Sequence, residues 1–439
     1  MAFKLKERTR KIRSEVGSKQ LCWFGVRGID APPLAGYGEL SHIYSQTAPI
    51  YSSLEVYEKS LETILLHRVD LNTYDVDFDQ EHYTREFKRT VLFGIKKKTI
   101  LVPYRPQEFL SAIYFTHSDI VSYFGLFHKF QRTFEHKPWV EKSLKEAGIN
   151  VVPWEYVRNI ERDMVKEKIA AGQTILIRPP YSSGGAGYAF IRKIEDIYTN
   201  PVSASDDGFF SISPFFEDSI PININACIYR DGSVRAFLPS YQLIGVKELT
   251  TRQLGYCGND FGAVKQLGED IVNRIEEAVL QVGRWLAKKE YLGIFGADLL
   301  VVNNRIYLVE INPRFQGSTQ LSSALAGQVD DGDPYGEHLA AFMGLEAPEL
   351  PRLWERTKNL ENAAQLIAYN RLPKDISLDI HAVEQLPGDY KGIPRQHVTI
   401  APEGMIFKKI YNQSVTEDGY NLFPEVAGEL SQVLTNLIR

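Results

Sequence analysis

The 439-residue chain contains little cysteine, no long apolar run and no excess of positive charge. Cys22, Cys227 and Cys257 have neither metal-ligand spacing nor the pattern of a disulfide framework, which favours a reducing, cytoplasmic setting. No apolar run approaches the roughly 20 residues of a membrane-spanning helix, and the basic N-terminus lacks the apolar centre of a signal peptide. A formal net charge of −5 argues against a nucleic-acid surface. We therefore predict a cytoplasmic protein with neither nucleic acid nor membrane as a partner.

Two common chemical signatures are also missing. No Gly-x-Gly-x-x-Gly follows the first predicted strand, Gln20–Val26, so that strand has no dinucleotide fingerprint. The chain shows no Ser-His-Asp or Cys-His set for nucleophilic catalysis.

A polar-interrupted hairpin is the most informative stretch of the chain. Two apolar runs, Gly293–Val302 and Ile306–Ile311, flank Asn303, Asn304 and Arg305, which is the pattern of a β-hairpin. A two-residue loop would pair Asp298 with Val309 and send its carboxylate to the face opposite Glu310. A three-residue loop pairs Asp298 directly with Glu310, and asparagine tolerates the left-handed backbone that such a loop needs. We predict the three-residue loop.

That register gathers oxygen ligands on one sheet face. Glu310 and Asn312 are two residues apart and share a face, and Asp298 joins them from the other strand. Two carboxylates opposite each other are destabilising unless a positive charge lies between them. Mg²⁺ prefers oxygen ligands and commonly takes one or two carboxylates together with substrate phosphates. The hairpin therefore predicts a metal–phosphate site at Asp298, Glu310 and Asn312, with Arg314 just beyond it.

A second candidate phosphate site precedes the hairpin. Lys137 and Pro138 open a predicted helix, since proline suits the first helical position. A predicted strand then ends at Arg178 and leads into a loop that contains Ser182, Ser183, Gly184 and Gly185. Glycine allows backbone N–H groups to turn inward around an anion, and Arg178 adds positive charge. Such loops are common in ordinary hairpins as well.

The next segment, SPFFED, is predicted to connect two lobes. Its backbone suits the edge of an adenine base, with Phe215, Phe216 and Glu217 beside it; packing of both rings in the core is an equal alternative. Asn225 lies on a predicted strand, either near ribose, phosphate or metal or on a plain polar edge. Arg27, in the sequence RGID, is a candidate for shaping the binding site of the acceptor substrate.

These pieces together resemble the ATP-grasp superfamily of carboxylate–amine ligases over about residues 137–320. The most specific part is VEINPR at Val309–Arg314, preceded by GADLLV. The resemblance implies that Asp298, Glu310 and Asn312 hold one or two Mg²⁺ ions that bridge ATP phosphates, and that Arg314 steadies the transferred phosphoryl group. It also implies phosphate contacts from Lys137 and from the lid loop, and an adenine-binding role for SPFFED.

Two positions depart from the resemblance. Arg178 stands where the family usually has lysine; it keeps the charge but changes the contact geometry. Gly296 stands where some D-alanine ligase relatives carry a substrate-binding arginine. The expected fold class is α/β (α+β): an open α/β domain at 1–130, an ATP-grasp domain at 131–345 and a small α+β extension at 346–439. Within the middle domain we expect a lid at about 150–213 and a metal-binding core at about 214–345.

The chemistry implied is ADP-forming ligation. A carboxylate attacks the γ-phosphorus of ATP, with Lys137, Arg178 and Arg314 offsetting charge, and an amine then displaces phosphate from the acyl-phosphate. The partners expected are a small carboxylate and an amine, such as an amino acid or a peptide. A carrier-protein thiol as acceptor, a kinase on the same fold, and a non-catalytic ATP-binding protein are the alternatives. A homodimer is compatible with the sequence, which leaves the oligomeric state open.

Overall fold

The computed structural model of the chain describes residues 2–48, 56–126, 128–199, 208–387 and 390–438. Its three regions follow the order predicted from the sequence, although the domain boundaries remain predictions. The predicted ranges 1–130, 150–213 and 346–439 each include some residues that lie outside the described ones.

The N-terminal region is built on a parallel sheet. Its elements are α1 (Ala2–Val16), β1 (Gln20–Arg27), β2 (Leu40–Thr47), β3 (Tyr57–Ser60), α2 (Leu61–Leu65), β4 (His67–Arg68), α3 (His82–Gly94), β5 (Thr99–Pro103), α4 (Glu108–Thr116), β6 (Val121–Tyr123) and α5 (His128–Glu135). Among the described residues the sheet order is β3-β2-β1-β5-β6, with parallel pairing throughout. Parallel strands are usually covered on both faces, and β1 is buried along its whole length. The chain runs outward from β1 in both directions, so the order reverses between β1 and β5.

A small antiparallel sheet forms the second region. Its elements are α6 (Lys137–Glu146), β7 (Glu155–Val157), α7 (Arg162–Ala170), β8 (Ile175–Arg178), β9 (Ala189–Ile191), α8 (Asp196–Thr199) and β10 (Phe210–Pro214). The strands pair in the order β7-β10-β8-β9. Lys137 and Pro138 begin α6 as predicted, and the glycine-rich loop joins β8 to β9.

The third and largest region continues to the C-terminus. Its elements are β11 (Ile220–Ile228), β12 (Val234–Ile244), β13 (Tyr256–Asp260), α9 (Gly268–Ala287), β14 (Gly293–Val302), β15 (Arg305–Asn312), α10 (Thr319–Ala326), α11 (Pro334–Met343), α12 (Leu353–Thr357), β16 (Ala364–Tyr369), α13 (Ile380–Glu384), β17 (Tyr390–Lys391), β18 (Thr399–Ile400), β19 (Met405–Tyr411) and α14 (Pro424–Leu437). In the described chain one sheet runs β15-β14-β11-β12-β13-β16-β19-β17. Strands β16, β17 and β19 of the predicted C-terminal extension therefore continue the sheet that contains β14 and β15, whereas β18 pairs with β4.

Helix α9 covers this sheet with an apolar face. Ile271, Ile275, Val279, Val282 and Leu286 recur at helical spacing, and all are buried. The helix packs against β11, β12 and β15, and so holds those strands in place beneath the candidate site.

The hairpin loop differs from the prediction. Val302 pairs with Arg305, so the loop has two residues, Asn303 and Asn304, with φ of +48° and +61°. Both angles suit the type I′ turn favoured in two-residue hairpins. The register then shifts beyond Leu299–Leu308, and Asp298 is opposite Glu310 as predicted. Val309 is the extra residue, because a β-bulge places two residues opposite one. The pairing was correct, but a bulge rather than a three-residue loop produces it.

Candidate functional site

Asp298 lies at the centre of a buried polar cluster on β11, β14 and β15. Asn223 Nδ2 donates to Asp298 Oδ1 at 2.6 Å, and Asn312 Nδ2 donates to Asp298 Oδ2 at 3.1 Å. Gln316 Nε2 donates to Asp298 Oδ1 at 3.3 Å. The sheet thus brings together the three residues predicted as metal ligands, because the bulge at Val309 turns Glu310 to the same face as Asp298.

The two carboxylates of the cluster have different ionic partners. Burial, followed by the neighbouring Glu310 carboxylate, raises the pKa of Asp298 to about 7. Burial also acts to raise the pKa of Glu310, but Lys137 outweighs it and the net shift is downward. Lys137 Nζ lies 2.5 Å from Glu310 Oε2. The amide groups around Asp298 bring hydrogen bonds but no positive charge.

Arg314 lies directly beside this cluster. Its Nη2 donates to Asn312 Oδ1 at 2.8 Å, and its Nε donates to Glu135 Oε1 at 3.4 Å. The guanidinium carbon lies 5.8 Å from the centroid of the Tyr104 ring. Burial lowers the pKa of Arg314, but nearby Tyr104 and the carboxylates more than offset this, so the net shift is upward. Arg314 is therefore a fixed cation next to the candidate metal ligands.

The glycine-rich loop lies against two other parts of the chain. A Cβ on Gly184 would lie 2.3 Å from Asn72 Oδ1, and one on Gly185 would lie 2.0 Å from the carbonyl oxygen of Leu254. Both glycines have positive φ. Ser182 and Ser183 line the same cavity as Asp298 and Glu310. The loop thus covers the cavity, and its closed position depends on the absence of side chains at 184 and 185.

Four predicted residues do not line that cavity: Lys137, which is the ion-pair partner of Glu310, and Arg178, Glu217 and Asn225. Arg178 is fully buried, with its guanidinium carbon 3.4 Å from the centroid of a Trp154 ring and an ion pair to Glu141. Its burial lowers its pKa to about 9. Asn225 Nδ2 donates to Ser318 Oγ, Thr319 Oγ1 donates to Asn225 Oδ1, and the exposed Glu217 accepts from Thr174. Their predicted roles in binding nucleotide stay predictions.

One end of the cavity is apolar. Trp154, Phe215 and Phe216 contribute to its wall, together with Leu176, Leu299, Leu300 and Val309. Phe216 stacks on Tyr307 with ring centroids 5.5 Å apart, and Phe215 meets Phe190 edge to face at 5.0 Å. Nε1 of Trp154 is buried and has no hydrogen-bond partner among the described residues. A flat apolar slot with one free donor suits a heterocyclic base.

The opposite end of the cavity contains residues that the sequence did not identify as a group. Arg27 ends β1, and Tyr104 and Arg105 follow β5, so the carboxyl ends of two neighbouring parallel strands meet there. This is the edge at which open α/β sheets commonly bind ligands, where the strand order reverses. Only Arg27 was considered from the sequence, since Tyr104 lies in a proline-rich stretch without a motif.

Comparison with known proteins agrees with this geometry. A family model described as an ATP-grasp domain matches residues 135–318. Residues 135–318 form an ATP-grasp domain. The matched range covers α6, the glycine-rich loop, the apolar slot and all three candidate metal ligands.

Solved structures of ATP-grasp proteins are similar over nearly the whole chain. Biotin carboxylase from Campylobacter jejuni, in complex with β-γ-ATP, has a TM-score of 0.61 at 12% identity and covers 96% of this chain and 92% of its own. The biotin carboxylase domain dimer of Hydrogenobacter thermophilus 2-oxoglutarate carboxylase, with MgADP and bicarbonate, has a TM-score of 0.60 at 14% identity, covering 96% and 90%. At such identities the likeness establishes the fold alone.

A curated relative is similar over a shorter stretch. The carbamoyl phosphate synthase large chain of Thermotoga maritima is 24% identical over 283 residues, which are 62% of this chain and 24% of that protein. The chain therefore matches about a quarter of the length of this relative.

The ATP-grasp domain contains donors that fit a magnesium–nucleotide complex. Asp298 is a buried carboxylate surrounded by amides, and Glu310 and Asn312 offer further oxygens on the same face. Clusters of three or more His, Cys, Asp or Glu side chains that could hold a metal are absent from the described residues. Two carboxylates and one amide are what Mg²⁺ takes when phosphates complete its coordination.

Among the described helices, none is both long and apolar enough to cross a bilayer.

Proposed function

We propose that the protein is an ATP- and Mg²⁺-dependent ligase that activates a carboxylate as an acyl-phosphate and joins it to an amine. The observation that carries this proposal is Asp298, a buried carboxylate on the wall of a lid-covered cavity, which has amide donors and the Glu310 carboxyl group as partners but no ion pair among the described residues. A cation bound there would offset the buried charge and hold the β- and γ-phosphates of ATP.

The lining of the cavity supports the following placement of the nucleotide. Its base lies in the slot of Trp154, Phe215 and Phe216, and its phosphates lie beneath Ser182, Ser183 and the two glycines of the lid. Lys137 and Arg314 bring positive charge to the phosphate end. We retain Arg178 as a candidate phosphate ligand, although it would have to leave its contacts with Trp154 and Glu141 to serve as one.

The reaction proceeds in two steps. A substrate carboxylate oxygen bonds to the γ-phosphorus, the bond to the β–γ bridging oxygen breaks, and ADP leaves; Arg314 offsets charge on the transferred group. The amine nitrogen then bonds to the acyl carbon, the carbon–oxygen bond to phosphate breaks, and phosphate leaves as the nitrogen loses a proton. The closed lid keeps water from the acyl-phosphate. The cytoplasmic location and the homodimer remain part of the proposal.

The test is product analysis with ATP, Mg²⁺ and pooled carboxylic and amino acids, with and without hydroxylamine. ADP, phosphate and a hydroxamate are the expected products. ADP without released phosphate, with a phosphorylated product, would support a kinase instead. AMP and pyrophosphate would overturn the proposed mechanism.

A further inference from the structure

Besides Nε1 of Trp154 in the apolar slot, two buried polar atoms on the cavity wall lack hydrogen-bond partners among the described residues: Nη2 of Arg27 and Oε1 of Gln316. Arg27 is 7% exposed and Gln316 is 5% exposed. Buried polar groups are nearly always satisfied, so each unpartnered atom marks a place where a ligand can bond. One atom is a cationic donor and the other is a neutral acceptor.

The charges around Arg27 are also unbalanced. Arg27 Nε donates to Asp30 Oδ2 at 2.8 Å, and Lys408 Nζ lies 3.8 Å from Asp30 Oδ1. Asp30 and Lys408 are each almost fully buried. One carboxylate thus faces two cations, and Lys408 donates otherwise to a neutral amide, Gln320. A surplus of one buried positive charge favours a ligand with one negative charge.

Gln316 connects this region to the metal end. Its Nε2 donates to Asp298, and this turns its Oε1 away from that carboxylate. A Cβ on Gly296 would lie 1.8 Å from Gln316 Cδ, so the glycine at 296 leaves the room that the amide occupies. The departure at Gly296 noted in the sequence is thereby explained: the space beside the strand is filled by Gln316.

Tyr104 lies close to both arginines of the cavity. The guanidinium carbons of Arg27 and Arg314 each lie 5.8 Å from the Tyr104 ring centroid. Both arginines thus lie against the same aromatic ring, and within the proposed function Arg314 offsets charge on the transferred phosphoryl group, which leaves Arg27 for a second anion. The wall also contains the polar Asn72 and Arg105, and its apolar and aromatic residues include Leu71, Leu254, Tyr256, Tyr369 and Met405.

We propose that this end of the cavity binds the amine substrate as an α-amino acid with an apolar side chain. Its carboxylate pairs with Arg27, its amine donates to Oε1 of Gln316, and its side chain lies among the apolar residues of the wall. The inference rests on the proposed function, since it names the class of amine that attacks the acyl-phosphate. The nitrogen is then held beside Asp298, next to the reacting centre.

The first experiment compares ligands on the wild-type full-length protein. Isothermal titration with MgADP present measures binding of L-phenylalanine, L-leucine and L-methionine, of their carboxamides, and of the phosphonate analogue of phenylalanine. We expect at least one amino acid to bind about 10- to 100-fold more tightly than its carboxamide, which is the range of a charge-assisted hydrogen bond. Equal affinity for acid and amide, or no binding by any of the amino acids, would overturn the inference. Tighter binding of the phosphonate would overturn its assignment to a carboxylate.

Variants then locate the contact. Arg27→Gln should bring the affinity for the amino acid down to that for its carboxamide while leaving the carboxamide unaffected. Arg27→Lys should restore part of the difference, because it keeps the charge but not the planar fork. Arg8→Gln, which removes a partly buried arginine–glutamate pair away from the cavity, is the control and should leave the ratio unchanged. If Arg27→Gln retained the full preference for the acid, Arg27 would not be the contact.

The two proposals fail in different ways. Hydroxamate formation with hydroxylamine depends on activation of the carboxylate and does not require an amino acid at Arg27. A wild-type protein that forms hydroxamate but binds amino acid and amide equally would refute the inference alone. A protein that prefers the amino acid but releases no ADP would refute the proposed function.

Discussion

The two ends of the cavity differ in how their buried charges are balanced. At the metal end, Glu310 pairs with Lys137 and Arg314 pairs with Glu135, while Asp298 bonds to amides and to the Glu310 carboxyl group but forms no ion pair among the described residues. At the other end, Arg27 pairs with Asp30, while Lys408 lies 3.8 Å from the same carboxylate and donates to an amide. One end has a surplus negative charge and the other a surplus positive charge.

This difference indicates which ligand each end accepts. A buried charge without an opposite charge is costly unless a ligand supplies one. Under the proposed function, the metal end would take a cation with nucleotide phosphates, and the Arg27 end would take an anion. Nucleotide and amine substrate would then occupy separate ends of the cavity, and four changes can test that assignment.

The largest effect is expected from Glu310→Gln, which breaks the metal end. It removes one of the two carboxylates and leaves Lys137 without its partner, so ADP release should fall about 10³-fold or more. The measurement is ADP release under saturating ATP and Mg²⁺, with the exposed Glu277→Gln as control. Binding of an apolar amino acid at the Arg27 end should persist. Turnover equal to that of the wild type would remove this cluster from the catalytic site.

Gly185→Ala tests the lid that covers both ends. Its Cβ would lie 2.0 Å from the Leu254 carbonyl oxygen, so the loop could not close as it does here. We expect a loss of roughly 100-fold in ligation rate, the scale of a misplacement of about 1 Å, together with more hydrolysis of ATP to ADP without ligated product.

Gly172→Ala is the matched control for the lid change. Gly172 has nearly the same φ, +75° against +74°, but nothing lies within 4 Å of its Cβ position. Both variants therefore carry similar backbone strain, and only Gly185→Ala loses the close approach. Equal losses in the two variants would attribute the effect to strain and not to lid closure.

Phe216→Ala is expected to weaken nucleotide binding and to leave amino-acid binding unchanged. Loss of the ring that stacks on Tyr307 should lower ATP affinity roughly tenfold, or ~1.4 kcal/mol, without changing the preference for an amino acid over its amide. Titration with a non-hydrolysable ATP analogue measures this, with Phe209→Ala as control, because Phe209 does not line the cavity. An equal loss of affinity for the amino acid at the Arg27 end would mean that the two ends are not separate.

The smallest effect concerns Lys408 and the pH dependence of stability. Burial, with Arg27 and Lys391 nearby, lowers the pKa of Lys408 from 10.5 to about 8, against the opposite influence of Asp30. Between pH 8 and 10.5 the folded protein therefore binds fewer protons than the unfolded chain, so stability gains from this group as pH rises. Below pH 8 the destabilisation is present in full. Between pH 8 and 10.5 this group should raise the melting temperature of the wild type by a few degrees, and the rise should be absent in Lys408→Met. If the melting temperatures of the two proteins change with pH in parallel, the surplus positive charge does not destabilise Lys408.

The sequence predicted the pairing of Asp298 with Glu310 but not the turn and bulge that produce it. The spacing of Glu310 and Asn312 in an apolar run was sufficient to place them on one face. The bulge at Val309 was not predictable, because Asn303-Asn304 and Asn303-Asn304-Arg305 are both acceptable loops by residue type. Only the pairing across two strands and their packing on α9 selects between them.

The Arg27 end was largely beyond sequence reasoning. Arg27, Tyr104, Gln316 and Met405 come from distant parts of the chain, and nothing local links them. Their meeting depends on strand order and on long-range pairing, as does the continuation of the core sheet into β16 and β19. An unpartnered atom such as Nη2 of Arg27 can be recognised only when all its neighbours are known.

The pairing of β4 with β18 bears on how the chain folds during synthesis. It joins His67 and Arg68 to Thr399 and Ile400, and Arg68 Nη1 donates to the carbonyl oxygens of Gly392 and Met405. A nascent chain that has left the ribosome only as far as the ATP-grasp domain has none of these acceptors for its buried arginine. Arg68 and its two acceptors are more than 300 residues apart in the sequence. Contacts of such sequence separation slow folding. Folding of the N-terminal region is thus completed late. Until then Arg68 and the edge of β13 stay uncovered and accessible to a chaperone.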